Sequence, residues 1–148
     1  MIINGQVLAL LGALVAFFVA GIGSSRGCGT AGQTGAGVLS EDPKKFGSVV
    51  VLEALPATQA VYGFVIAFMI INKITPDMTI PEGLRLLVAG FPIGIIGLIS
   101  GIYQGKVATA GIQMIAKQPK ATGQAITLSI MVEMFAILAL VVSILMIG

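Results

Sequence analysis

Leu55-Pro56-Ala57-Thr58-Gln59-Ala60-Val61-Tyr62 lies in the middle of an apolar segment that runs from about Phe46 to Ile71. A transmembrane helix needs about 20 predominantly apolar residues, so this segment is long enough to cross a bilayer. Polar groups inside such a helix are rare, and they mark candidate functional sites. The segment therefore predicts a transmembrane helix with a polar site near its centre.

The composition of the whole chain is that of a membrane protein. Of its 148 residues, 57% are hydrophobic and only 9% are charged. A soluble domain carries roughly 25% charged residues. The net charge of +2 does not indicate nucleic acid as a partner. The chain has one Cys and no His, which excludes an intrachain disulfide and any metal site built on clusters of these residues.

Four apolar segments are separated by three short polar connections that contain proline. The predicted spans cover about residues 6–39, 46–71, 83–117 and 121–147. The N-terminus lacks the positively charged region that begins a signal peptide, so we expect the first span to be retained. The predicted fold class is an all-α membrane protein with four transmembrane helices.

The two halves of the chain resemble each other. Gly101 follows Gly21 by 80 residues, and Pro119 follows Pro43 by 76 residues. At the second offset, Glu133 in the last span aligns with Ala57 in the second span. The change of four residues fits a longer connection in the first half. The sequence therefore predicts a duplicated helical hairpin, residues 1–72 and 73–148, with the membrane carboxylate only in the second half.

The third span carries a regular series of glycines. Gly90, Gly94, Gly97, Gly101 and Gly105 follow one another at spacings of three or four residues. Positions with this spacing lie on one face of a helix, and small residues let the backbones of membrane helices approach closely. The series predicts tight packing of the third helix against a neighbour.

Basic residues are distributed unequally among the three connections. The first and third connections and the adjoining helix ends hold six of the eight: Arg26, Lys44, Lys45, Lys106, Lys117 and Lys120. Loops rich in Lys and Arg stay in the cytoplasm. We therefore expect the first and third connections to be cytoplasmic and both termini to lie outside.

Three polar residues from different spans are predicted to lie at one depth in the membrane. Each is 13 residues from a basic residue at the cytoplasmic end of its helix: Glu133 from Lys120, Thr58 from Lys45, and Gln104 from Lys117. At a rise of about 1.5 Å per residue, each lies roughly 20 Å from that end. A charged residue at this depth costs at least about 2.5–3.5 kcal/mol, which makes Glu133 a functional candidate.

Leu55, Thr58, Gln59 and Tyr62 follow one another at spacings of three and four and share one helix face. Pro56 cannot donate a hydrogen bond to the carbonyl four residues earlier, that of Leu52, and is predicted to kink the helix. A hydroxyl, two amide oxygens, a freed carbonyl and a carboxylate form the all-oxygen ligand set that hard cations prefer. One carboxylate balances one monovalent charge. A proton site would need only the carboxyl group and one hydrogen-bond partner.

Each of these residues also has an alternative interpretation. Thr58 could bond back to its own helix, and Gln59 and Gln104 could join helices by hydrogen bonds. Tyr62 could serve only in packing. Glu53 lies about five residues from Thr58, and we interpret it as a structural or pore-side residue rather than a member of the site.

Three motifs together resemble one family. Leu55–Gly63, Gly101–Lys106 and Met131–Glu133 are similar to segments of the rotor-ring proteolipid, the K or c subunit, of V-type (V/A-type) ATPases. The similarity is greatest to bacterial sodium-pumping members. It implies a membrane ring of identical subunits, turned by ATP hydrolysis in a separate soluble head. The chain itself has no phosphate-binding loop, and we do not expect it to be an enzyme.

The resemblance also assigns residues to a Na⁺ site. The implied ligands are the Leu55 carbonyl, Thr58, Gln59, Gln104 and Glu133, with Tyr62 bonding the carboxylate. The Leu55 carbonyl comes from the resemblance alone. This chain departs from relatives at Ala57, where they often have glycine, and at Glu53, where close relatives can have an uncharged amide. We expect Ala57 to be tolerated.

The implied partners are identical subunits, lipid, a stator membrane subunit whose arginine pairs with Glu133, and a central-stalk subunit that binds the cytoplasmic loops. The implied location is the plasma membrane of a prokaryote. Two alternatives remain at this stage. One is the same rotor carrying H⁺, and the other is a small proton-coupled multidrug or metabolite exporter. Such exporters tend to place Trp around the substrate, and the chain has none.

Overall fold

The computed structural model describes residues 4–148, and its regular secondary structure in that range is entirely helical. Four helices are long and apolar enough to cross a membrane: α1 (Gly5–Glu41), α2 (Pro43–Asn72), α3 (Ile80–Lys117) and α4 (Pro119–Ile147). They alternate in direction along the chain and are joined by short connections. The all-α architecture with four spans agrees with the sequence prediction, although α2 and α3 each begin three residues earlier than expected.

Local sequence explains where the helices begin. The side chain of Asn4 accepts a hydrogen bond from the Val7 N–H at 2.9 Å, at the start of α1. At the start of α3, the Thr79 hydroxyl accepts from the Glu82 N–H, and the Glu82 carboxylate accepts from the Thr79 N–H. Such reciprocal caps satisfy the free N–H groups of a first turn.

Both hairpins have their turns at the same end of the bundle. At that end, the Lys45 ammonium donates to the Ala116 carbonyl at 2.6 Å and links the first connection to the end of α3. At the opposite end, the Gln6 side chain donates to the Thr75 carbonyl at 3.0 Å. The Arg85 guanidinium there donates to the Ile147 carbonyl at 3.3 Å. The first and third connections are therefore separated from the C-terminus and the middle connection by the length of the bundle.

Helices α1 and α3 pack with their backbones in direct contact. A Cβ added to Gly23 would lie 2.6 Å from the Leu98 Cα, and one added to Gly101 would lie 2.7 Å from the Gly23 carbonyl carbon. A Cβ on Gly105 would lie 2.6 Å from the Gly27 carbonyl oxygen. The glycine series of the third span thus serves the close approach that its spacing predicts.

We expect Gly105→Ala to destabilise the protein. The added methyl group would meet backbone atoms of α1, which cannot move aside as a side chain can, and overpacking of this kind costs about 1–3 kcal/mol. A thermal melt of the detergent-solubilised protein measures the effect. Gly47→Ala is the matched control, because a Cβ at Gly47 meets nothing within 4 Å. Equal melting temperatures for the two variants would contradict the prediction.

Two apolar clusters fill the two halves of the bundle. One contains Ile66, Ile93 and Ala139, and the other contains Leu52, Ile112 and Ala125. On each of α2, α3 and α4, a short segment between the two clusters carries buried polar side chains. The fold therefore places a polar layer near the middle of an apolar bundle.

The predicted kink in α2 lies beside this layer. The α-helix is interrupted by a 3₁₀ turn, Leu55–Ala57, which contains Pro56. Beyond the turn, the Ala60 N–H donates to the Ser24 hydroxyl of α1 at 2.9 Å. A side chain of the neighbouring helix thus satisfies a backbone group that the irregular turn leaves available.

Candidate ion-binding site

Gln59 and Gln104 hydrogen-bond directly to each other across α2 and α3. The Gln59 Nε2 donates to the Gln104 Oε1 at 2.5 Å and to the Ser100 Oγ at 3.2 Å. Both glutamine side chains have 0% exposure. Amide groups buried this deeply need partners, since an unpaired one costs about 1–3 kcal/mol. The pair therefore fixes the relative rotation of the two helices at the polar layer.

The carboxylate of Glu133 joins this pair from α4. The Gln104 Nε2 donates to the Glu133 Oε2 at 3.4 Å, and the Tyr62 hydroxyl donates to the Glu133 Oε1 at 2.5 Å. Glu133 is only 8% exposed. The structure thus unites four of the predicted residues in one network, and Tyr62 bonds the carboxylate as the resemblance implies.

No protein cation balances the Glu133 charge within residues 4–148. The ion pair in that range joins Lys45 to Asp42, at the end of the bundle. An isolated carboxylate in an apolar environment is strongly disfavoured unless it binds a proton or a cation. The hydrogen-bond partners of Glu133 are neutral groups, so the network formed by residues 4–148 does not balance its charge.

Thr58 and Leu55 are joined to each other rather than to the network. The Thr58 Oγ1 donates to the Leu55 carbonyl at 3.0 Å, which is the bond back to its own helix that the sequence left open. A hydroxyl that donates its single proton keeps both lone pairs for a cation. The same Leu55 carbonyl also accepts from the Thr58 N–H. Leu55 begins the 3₁₀ turn, and Thr58 follows the turn and directly precedes Gln59.

One buried oxygen of the network has no hydrogen-bond partner in the described part of the chain. It is the Oε1 of Gln59, and its amide nitrogen already serves both Gln104 and Ser100. An amide oxygen only accepts, so it needs either a donor or a cation. The side chain of Gln59 is connected to the Glu133 carboxylate through Gln104, which hydrogen-bonds both. The arrangement fits a cation that would bind an amide oxygen and the carboxylate together.

Ser100 is a member of the network that sequence reasoning missed. Its hydroxyl accepts from Gln59 and donates to the Val132 carbonyl of α4 at 3.1 Å. It therefore connects α2, α3 and α4 at the depth of the site. Its position four residues before Gln104, on the same face of α3, was the available signal.

Glu53 lies apart from this network. Its carboxylate lies against α1, where a Cβ added to Gly32 would be 2.6 Å from the Glu53 Oε1. The side chain is half-buried between α1 and α2. The interpretation of Glu53 as a residue outside the site agrees with this placement.

The residues of the candidate site would suit a hard monovalent cation. Its candidate ligands are oxygens, and residues 4–148 contain no group of three or more His, Cys, Asp or Glu residues that could hold a metal ion. Transition metals favour His and Cys ligands, and divalent ions usually bind more than one carboxylate. A single carboxylate with amide, hydroxyl and carbonyl oxygens can neutralise and coordinate one monovalent ion.

Four transmembrane helices arranged as two similar hairpins, with one buried carboxylate in the middle of the last helix, define a small ion-carrying membrane protein. Residues 11–70 and 87–146 each match the model of the ATP synthase C subunit family. The chain belongs to this family. The double match confirms the predicted hairpin duplication, while the division between residues 72 and 73 stays a prediction.

The chain is similar along almost its whole length to subunits of several V-type ATPases and of an A-type ATP synthase. It is 46% identical to the V-type sodium ATPase subunit K of Enterococcus hirae, over 97% of this chain and 92% of that protein. It is 37% identical to the A-type ATP synthase subunit K of Methanocaldococcus jannaschii, over 97% of this chain and 63% of that protein. The 16 kDa proteolipid of the human V-type proton ATPase is 26% identical, over 93% and 89%. These matches confirm the predicted resemblance to V/A-type proteolipids.

Proposed function

We propose that the chain is the ion-carrying subunit of a membrane rotor ring in a V/A-type ATPase, and that its ion is Na⁺. One observation supports the ion assignment most directly. The Glu133 carboxylate is buried without a protein cation, in a network where the Gln59 Oε1 lacks a partner within residues 4–148. The similarity to a sodium ATPase subunit K supports the same conclusion.

The network is larger than proton carriage requires. A protonated carboxyl group needs one acceptor for its own proton, and its carbonyl oxygen can accept from Tyr62. The two glutamines and the Ser100 hydroxyl would then be excess polar groups in an apolar bundle, each of which needs its own partner. If a cation is coordinated by the amide oxygens, the two glutamines are ion ligands and Ser100 holds one of them. We therefore favour Na⁺ over H⁺.

The proposed Na⁺ ligands are the Leu55 carbonyl, the Thr58 hydroxyl, the Gln59 and Gln104 amide oxygens, and the Glu133 carboxylate. Tyr62 holds the carboxylate by donating to its Oε1. The proton of the Thr58 hydroxyl is directed to Leu55, which leaves the hydroxyl oxygen able to coordinate the ion. Ser100 holds Gln59 in place from the α3 side.

The transport cycle follows from charge neutralisation. With Na⁺ bound, the Glu133 carboxylate and the ion together carry no net charge, so the occupied site can pass the lipid as the ring turns. In the stator, half-channels admit and release the ion, and a stator arginine pairs with Glu133 when the ion leaves. The central stalk binds the cytoplasmic connections and transmits the rotation. ATP is hydrolysed in the soluble head, and this chain is not itself a catalyst.

We propose that the protein lies in the plasma membrane of a prokaryote, with both termini outside. The distribution of basic residues supports the orientation. Four of the eight Lys and Arg residues, Lys44, Lys45, Lys117 and Lys120, belong to the first and third connections and the helix ends beside them. In the structure, those two connections share one end of the bundle through the bond between Lys45 and Ala116.

Carbodiimide labelling of the purified ring tests the ion assignment. The reagent modifies protonated carboxyl groups, and bound Na⁺ excludes the proton from Glu133. We expect Na⁺, but not K⁺, to slow the labelling of Glu133. Peptide mapping by mass spectrometry, across a series of pH values and Na⁺ concentrations, measures the rate at each carboxyl group separately.

Glu53 provides an internal control in the same experiment. It lies in the same apolar region but outside the glutamine network, so Na⁺ should leave its labelling unchanged. If the labelling of Glu133 follows pH and ignores Na⁺, the ring carries protons. The size of the detergent complex tests the exporter alternative, because a ring of many copies is much larger than a dimeric exporter.

A further inference from the structure

Helix α4 has an exposed apolar face whose counterpart in α2 is buried. Because the two hairpins are duplicates, residues 76 apart hold equivalent positions in α2 and α4. Three residues of α2 have 0% exposure: Leu52, Gln59 and Ile66. Their counterparts in α4 are 46% to 64% exposed: Leu128, Phe135 and Val142. The second hairpin covers the face of α2, whereas no further hairpin of residues 4–148 covers the face of α4.

The contact between the two hairpins shows what kind of surface covers such a face. A Cβ added to Gly97 of α3 would lie 2.9 Å from the Ala20 Cβ and 3.6 Å from the Gln59 Cβ. A Cβ added to Gly101 would lie 2.7 Å from the Gly23 carbonyl carbon. Two glycines of α3 therefore pack on a seat that the first hairpin forms from α1 and α2.

The counterparts of that seat line an open groove on the second hairpin. At offsets of 80 for α3 and 76 for α4, they are Ser100, Tyr103 and Phe135. The groove lies between α3 and α4, has a volume of about 270 Å³, and is completed by Ile96, Ile99 and Val132. Membrane helices associate by close packing, because lipid removes the hydrophobic gain of contact. An unfilled groove loses those packing contacts.

The counterparts of the two packing glycines lie on α1. Gly97 corresponds to Phe17, and Gly101 corresponds to Gly21. Phe17 lies in a π-helical turn, Val15–Val19, one turn before Gly21, as Gly97 lies one turn before Gly101. Phe17 is 48% exposed, and a Cβ added to Gly21 meets nothing within 4 Å in the described part of the chain. This face of α1 is therefore also uncovered.

The two uncovered faces complement each other in shape. Within the chain, the small residue Gly97 packs on a seat that has no groove. At the equivalent place on the free faces, α1 carries the large side chain of Phe17 and the second hairpin carries the groove. Likewise, Gly21 leaves room on α1 for the exposed side chain of Tyr103. A large side chain thus stands opposite each space.

We propose that the groove of one copy of this chain receives Phe17 of the next copy, with Tyr103 packed against Gly21. The contact between copies then repeats, with different side chains, the contact between the two hairpins of one chain. This inference rests on the proposed function, because it identifies the surfaces by which the identical subunits of the ring join.

The proposed contact differs from the ion site in its chemistry. The counterpart of Glu133 is Ala57, and the counterpart of Gln59 is Phe135. Aromatic packing therefore takes the place of the carboxylate and its amide partner. The contact between copies should hold the ring together whether or not Na⁺ is present.

Disulfide cross-linking in the purified ring tests the proposal. The variant combines Phe17→Cys and Phe135→Cys, with Cys28→Ser to remove the natural thiol. The equivalent Cβ positions within the chain, at Gly97 and Gln59, are 3.6 Å apart, and disulfides join Cβ atoms about 3.5–4.5 Å apart. We expect a mild oxidant to produce a ladder of dimers, trimers and larger multiples on a denaturing gel, which a reductant removes.

The matched control replaces Phe135→Cys by Ile137→Cys. Ile137 is exposed on the same helix, and its counterpart Val61 is exposed as well, so neither position faces a hairpin. We expect no ladder from this pair. An equal ladder from the control overturns the inference. So does the absence of a ladder from the Phe135 pair in a ring of unchanged size, which would assign the groove to lipid.

Gly21→Leu tests the same contact without thiols. A single chain has room for the larger side chain, but the proposed contact with Tyr103 does not. We expect this variant to keep its helical circular dichroism and to lose the ring on detergent size-exclusion chromatography. Gly47→Leu is the control, because Gly47 and its counterpart Gly123 both lie in open space. It should keep the ring.

An intact ring in Gly21→Leu overturns the inference and leaves the proposed function in place, as long as Na⁺ protects Glu133 in the unmodified ring. If the unmodified protein runs as a single chain in detergent and in lipid, the proposed function fails, and this inference fails with it.

Discussion

Glu133→Gln is expected to abolish ATP-driven ion transport while leaving the ring assembled. The substituted side chain keeps the shape of glutamate and can still accept from Tyr62, the donor at 2.5 Å. It cannot carry a negative charge at any pH. The ion would therefore bring an unbalanced positive charge into the bundle, where a single charge costs at least about 2.5–3.5 kcal/mol. The amide would also have no charge to pair with a stator arginine.

The measurement is Na⁺ uptake into vesicles that contain the complete ATPase, with ring size in detergent as the check on assembly. Glu53→Gln is the matched control, because it removes the other carboxylate in the membrane region of α2 and α4. Glu53 lies against Gly32, outside the glutamine network, and its loss should leave coupled uptake close to normal. Retained coupled uptake in the Glu133 variant would refute the proposal. Equal loss in both variants would show that Glu53 also takes part.

The number of helices and their order could be predicted from the sequence because a bilayer imposes a simple rule. Apolar segments of sufficient length must span, and their backbone groups must bond within the segment. The depth of the site in the membrane could also be predicted from the sequence. Thr58, Gln104 and Glu133 were placed at one level by counting residues from basic landmarks, since the helical rise is fixed. The structure places Glu133 and Gln104 in hydrogen-bond contact, and Gln104 also bonds Gln59, the residue that follows Thr58.

The rotation of each helix about its axis was harder to predict. Whether Gln59 contacts Gln104, Glu133 or lipid depends on the packing of three helices at once. The glycines that set this packing act through contacts with α1, such as the one between Gly105 and Gly27. The direct bond between the two glutamines and the role of Ser100 therefore appear only in the structure. The same reason explains why Glu53 could not be placed against Gly32 from sequence.

The segment around Pro56 shows what the effect of a proline on helix hydrogen bonds can and cannot predict. Pro56 predicted an interruption of α2, and a 3₁₀ turn is present there. The rule pointed to the carbonyl four residues before the proline, that of Leu52. In the 3₁₀ turn, the Leu55 carbonyl accepts from the Thr58 hydroxyl at 3.0 Å, while a free Leu52 carbonyl stays a prediction. Backbone geometry after a proline depends on which turn the chain adopts, and the sequence does not state that choice.

The second large effect is expected for Gln59→Leu, which should weaken Na⁺ binding without removing the carboxylate. Leucine is close to glutamine in volume, so the bundle can remain packed. The substitution removes the unpartnered Oε1 and also the donor to the Gln104 Oε1. An amide oxygen that binds Na⁺ makes a contact with a charge, and hydrogen bonds to charged groups are worth about 1.5–3 kcal/mol. The Na⁺ concentration that half-protects Glu133 from carbodiimide should therefore rise by about 10- to 100-fold.

The protection of Glu133 by Na⁺, together with the thermal melt, separates the two interpretations of Gln59. If the amide oxygen is an ion ligand, the variant should still be labelled at low pH, because the carboxyl group remains, while protection needs far more Na⁺. If Gln59 only joins helices, the ring should melt at a lower temperature with its Na⁺ protection unchanged. Gln113→Leu is the control, since Gln113 is exposed on α3 away from the network. A shift in protection that is confined to the Gln59 variant would identify the buried oxygen as part of the ion site rather than as packing between helices.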